Sequence, residues 1–115
     1  MDSFAVDLLN GLAASKEQGR NSARKSIQAL EDDLRQVAQD INNLGHARTI
    51  LINNFSQVKS QAEFDVFRAE YEAVRVSLQE RRETRHLMMI KLDAQGRIYE
   101  AAYGAYLSID QTGSG

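Results

Sequence analysis

From Ala23 onward the apolar residues fall at Ala23, Ile27, Leu30, Leu34, Val37, Ile41 and Leu44. The steps alternate four and three, the rhythm of a coiled-coil seam. Between Ile27 and Leu44 the remaining positions are polar except for Ala29 and Ala38, so the pattern predicts one narrow apolar stripe on a charged cylinder. Ser22 is placed to cap the start of such a helix, its hydroxyl accepting from an orphan backbone N–H. Counting on from Leu44 gives Arg48, Leu51, Phe55, Val58 and Ala62, with only Arg48 out of character. Gly45 could end the helix. Retention of phase across it favours a helix that continues to about residue 59, at a cost of about 1 kcal/mol relative to Ala. Ser60-Gln61-Ala62-Glu63 then has the capping-box spacing and predicts a second helix from about residue 61.

The next segment carries two stripes. Phe64, Phe67, Tyr71, Val74 and Leu78 share one face, while Val66, Ala69, Ala73 and Val76 lie two positions out of step, roughly opposite at about 100° per residue. A helix apolar on both sides asks for neighbours on both. An N-terminal helix over about residues 3–18 could supply one of them, with Gly19-Arg20-Asn21 as the break after it.

Beyond His86 the pattern changes. Leu87–Leu92 is a compact apolar run, Asp93-Ala94-Gln95-Gly96 has turn chemistry, and Tyr99, Ala101, Tyr103, Ala105, Leu107 and Ile109 occupy successive odd positions. A helical reading is also open, with Ile98, Ala102, Ala105 and Ile109 on one face. The turn residues favour a β-hairpin over about 87–109. The expected fold is therefore mainly α, a helical hairpin or coiled-coil bundle with a C-terminal β-hairpin. It forms a single domain over 1–110, with helices over about 3–18, 22–59 and 61–86 and a flexible tail at 111–115.

Composition narrows the chemistry. The 115 residues carry 14 Lys and Arg against 16 Asp and Glu, a net charge of −2, which disfavours a dedicated nucleic-acid binder. There is no Cys, which excludes disulfides, thiol catalysis and Cys-type zinc sites. The N-terminus bears Asp2 and Asp7 where a secretory signal needs a basic start, and no apolar run approaches a membrane span. The expected location is the cytoplasm without membrane insertion, although a Cys-free chain is compatible with export too.

No catalytic motif is visible, the two histidines His46 and His86 lack neighbouring ligand or nucleophile sets, and Glu31, Asp32 and Asp33 point in different directions on a helix. The chain is accordingly expected to be no enzyme, with no cofactor and no metal. Arg81, Arg82, Arg85 and His86 form a basic patch that could meet phosphates, but Glu70, Glu72, Glu80 and Glu83 interleave with it.

Tyr106-Leu107-Ser108-Ile109-Asp110 resembles the Tyr-x-x-x-Asp/Glu tail signal of small helical-hairpin substrates of mycobacterial-type secretion systems. Those families usually add Trp-x-Gly at the hairpin turn, and this chain has no Trp. Three functional expectations follow. The first is a self-associating assembly or adaptor protein, acting through the seam Ile27, Leu30, Leu34, Val37, Ile41 and Leu44 and the C-terminal hairpin. Its homodimer, higher-oligomer or partner interface would comprise Phe64, Phe67, Tyr71, Tyr99, Tyr103, Tyr106 and Leu107. The second is a nucleic-acid-associated regulator using the basic patch. The third, implied by the resemblance, is a secreted or chaperoned helical-hairpin protein.

Overall fold

The heptad rhythm becomes two long helices. A computed structural model describes residues 3–107, in which α1 runs over Ser3–Asn54 and α2 over Gln61–Tyr103. They are joined by a single 3-10 turn, Phe55–Gln57. By their contacts the residues divide into two units: Asp33–Ile90, and the chain up to Asp32 together with that from Lys91 on.

Within Asp33–Ile90 the chain is a helical hairpin. Helix α1 ends at Asn54, a few residues before the expected stop near residue 59, and the N–H of Val58 donates to the Phe55 carbonyl at 3.1 Å to close the turn. Asn53 and Asn54 are weak helix formers, and leaving the helix there lets Phe55 fold onto α2. Its ring lies 5.0 Å from Phe67 and 6.5 Å from Phe64, and Phe67 stacks on Tyr71 at 5.9 Å. Helix α2 starts where the capping box places it. The N–H of Glu63 donates to Ser60 Oγ at 3.1 Å, and the Glu63 carboxylate accepts from the Lys59 N–H at 2.9 Å. The core of this unit holds Val37 and Leu78. Leu34, Ile41, Leu44, Leu51, Phe67, Tyr71 and Val74 are half-buried around it.

In the other unit the early part of α1 lies beside the end of α2, with Ile27 and Tyr99 buried. Tyr99 packs edge-on to Tyr106 at 5.4 Å and tilted against Tyr103 at 5.2 Å. The Arg24 guanidinium donates to the Leu107 carbonyl at 3.3 Å. Helix α2 ends at Tyr103, before Gly104, whose φ of +91° is open to glycine at little cost and whose N–H donates to the Glu100 carbonyl.

Two expectations are overturned. The segment 87–103 is helix, and no strand occurs among the described residues, so there is no β-hairpin there. Met88, Leu92, Tyr99 and Tyr106 continue the four-three count from Leu78, and Leu, Met, Lys, Ala, Arg and Glu supply helix propensity. Asp93, read as the start of a turn, instead pairs with Arg97 one helical turn on at 3.1 Å. Ile109 and the tail at 111–115 lie outside the described residues.

The second correction is at Gly19, where the separate N-terminal helix was expected to end. Helix α1 passes straight through Gly19-Arg20-Asn21 and Ser22, which therefore caps nothing. A Cβ built on Gly19 would stand 3.0 Å from the Tyr103 hydroxyl, so this glycine gives room to a side chain from the other helix.

Candidate functional site

The seam residues line up as the spacing requires. Ile27 and Val37 are buried, and Leu30, Leu34, Ile41 and Leu44 are half-buried, while the positions between them face solvent except for half-buried Gln28, Glu31 and Asp40. The stripe on α2 follows the same count through Phe67, Tyr71, Val74, Leu78, Arg81, Arg85, Met88, Leu92, Gln95 and Tyr99. Its middle is polar. Arg81 reaches Asp40 of α1 at 3.9 Å, and Arg85 is half-buried at a seam position. On α1 the corresponding intruder is Arg48, also half-buried.

This polar stretch divides the basic patch. Arg81 is tied to Asp40, whereas Arg82 and His86 turn to the flank of α2 and join Arg48 and Arg75 around a groove of about 630 Å³. Leu78 and Leu87 give the groove an apolar lining, and Gln79 and Glu83 complete it. Arg75 has a partner on its own helix. Its guanidinium donates twice to the Glu72 carboxylate, and those hydrogen bonds hold the Glu72 carboxyl below its usual range and raise the guanidinium above its own. Among the described residues no carboxylate pairs with Arg48 or Arg82. The spacing of the sequence placed Arg82 and His86 together. Arg75 shares that flank by its seven-residue spacing from Arg82, whereas Arg48 joins them only through folding, although it already stood out as the charged member of an apolar stripe.

The second apolar surface is the outer face of α2. Val66, Val76, Leu87 and Ile90 are 58%, 39%, 65% and 55% exposed, and Ala69 and Ala73 between them are exposed as well. These positions continue one stripe at steps of three and four, interrupted only by Glu80 and Glu83. The aromatic residues expected at an interface are distributed differently. Tyr99 is buried inside its own unit, Phe67, Tyr71, Tyr103 and Tyr106 are half-buried, and only Phe64 and Leu107 are open, at 37% and 57%.

Among the described residues no cluster of three or more His, Asp or Glu could hold a metal ion, and no helix is long and apolar enough to cross a membrane. Ser108, Ile109 and Asp110 of the tail-signal resemblance lie outside the described residues. No known protein family, curated protein or solved structure matches the chain.

Proposed function

We propose that the chain is a non-enzymatic assembly protein whose working interaction is with a second copy of itself, through the outer face of α2. The observation that carries this reading is the exposed stripe Val66, Ala69, Ala73, Val76, Leu87 and Ile90 on a helix whose opposite face is already covered. Sixteen large apolar side chains among the described residues are exposed against four that are buried, which leaves the hairpin short of core.

The order of side chains along the stripe favours a second copy over a foreign helix. Two α2 helices crossing antiparallel about a midpoint between Arg81 and Arg82 set Val76 opposite Leu87 and Ala73 opposite Ile90, in each case a smaller residue against a larger one. Glu80 then faces Glu83 at the centre, a like-charge contact on either side of the crossing. A nucleic-acid role draws less support, because Arg81 and Arg75 are each engaged by a carboxylate of the same chain.

Self-association makes stability depend on concentration. The melting midpoint followed by circular dichroism should rise steadily over a hundredfold increase in protein concentration. A midpoint that stays constant over that range would contradict the reading.

A further inference from the structure

The groove flanked by Arg48 poses a separate question from the outer stripe. Arg48 occupies a seam position between Leu44 and Leu51, where an apolar side chain would pack best, and it is half-buried without a carboxylate partner among the described residues. A guanidinium on the groove wall with no carboxylate beside it offers charge-assisted hydrogen bonds to an anion. Across the groove stand Arg82 and His86, one helical turn apart at about 6 Å along the axis, and Arg75 about 10 Å before Arg82. Glu83 is the one carboxylate in the lining.

We propose that this groove binds a compact organic anion with a phosphate-type headgroup and an apolar part. The headgroup would sit between Arg48, Arg82 and His86, where guanidinium forks match phosphate oxygens in bidentate fashion. The apolar part would lie along Leu78 and Leu87. A volume of about 630 Å³ is that of a small-molecule site. A nucleic-acid strand fits less well, because no Phe, Tyr or Trp lines the groove to stack a base and exposed Glu70, Glu72, Glu80 and Glu83 interrupt any longer phosphate track. The site does not depend on self-association. Arg48 and Arg82 lie off the outer stripe, and only Glu83 and Leu87, on the groove's outer wall, border both surfaces.

The test titrates the full chain with 1-naphthyl phosphate, inorganic phosphate, phosphatidate-containing vesicles and a single-stranded oligonucleotide. Calorimetry or sedimentation measures binding, and light scattering reports the mass in parallel. Saturable binding of 1-naphthyl phosphate is expected, about tenfold tighter than inorganic phosphate, as burial of about two methylene equivalents implies. Arg82→Ala and Arg48→Met should each weaken it at least about tenfold with the mass unchanged. Vesicle binding lost in the same two variants would identify a lipid headgroup as the source of the phosphate; its absence beside naphthyl phosphate binding would identify a soluble ester. No saturation by either naphthyl phosphate or vesicles up to millimolar phosphate, or equal binding by both variants, would overturn the proposal. Oligonucleotide binding that is tighter than both and sensitive to the same substitutions would also overturn it, in favour of a strand.

Discussion

The two faces of α2 carry similar residues and meet different fates. On the inner face Phe67, Tyr71, Val74 and Leu78 lie against α1, and Leu78 is 3% exposed. On the outer face Val76 and Leu87, of comparable apolarity, stand 39% and 65% exposed. Propensity and hydropathy do not separate the two stripes. What separates them is that one long helix can cover only one side of another. A chain built from two helices leaves its second stripe to be covered by something else, and that shortage links the fold to the proposed activity.

The contrast can be broken most forcefully at Leu78. Leu78→Ala should cost about 2–5 kcal/mol at any protein concentration, because it opens a cavity within the chain. Leu87→Ala should lower stability only where copies associate. Urea melts at low and high concentration separate the two patterns, and equal losses at both sites and both concentrations would erase the distinction between the faces. A smaller effect, of opposite sign, is expected where the inner face is imperfect. Arg48→Met places a chain of similar length at the half-buried seam position without its charge, and should leave the hairpin unchanged or about 1 kcal/mol more stable. A loss of stability there would mean that the guanidinium supports the fold. The smallest expected effect sharpens the outer face. In the antiparallel crossing Glu80 opposes a like charge, so Glu80→Gln should tighten self-association by a few tenths of a kcal/mol, measured by sedimentation at low salt. Weaker association would displace the midpoint from between Arg81 and Arg82.

The same comparison explains what could be read from residues alone. The inner seam of α1 and the start of α2 were legible because both are local signals, a four-three spacing and a Ser-x-x-Glu box. The helix over 87–103 was hidden by Arg81, Arg85 and Gln95, which interrupt the apolar count between Leu78, Met88, Leu92 and Tyr99. Followed in heptads through those polar positions, the stripe points to Leu92 and Tyr99; followed locally, it resembles an alternating strand. Continuity through Gly19 could not be read from its neighbours, because the Tyr103 side chain that approaches it comes from 84 residues away. The groove was half legible. Arg82 and His86 share a helix flank by spacing, but Arg48 reaches them only through the pairing of two helices.

The central claim is that the outer face of α2 is covered by a second copy, and the most direct measurement is the mass in solution. Multi-angle light scattering across a dilution series from high micromolar protein should give twice 12.9 kDa for the native chain. Leu87→Asp, which sets a charge at a 65% exposed position and disturbs no buried contact, should return the mass to 12.9 kDa while helical circular dichroism persists. A native chain that stays at the single-chain mass at high micromolar concentration, or a Leu87→Asp chain that keeps the doubled mass, would contradict the account.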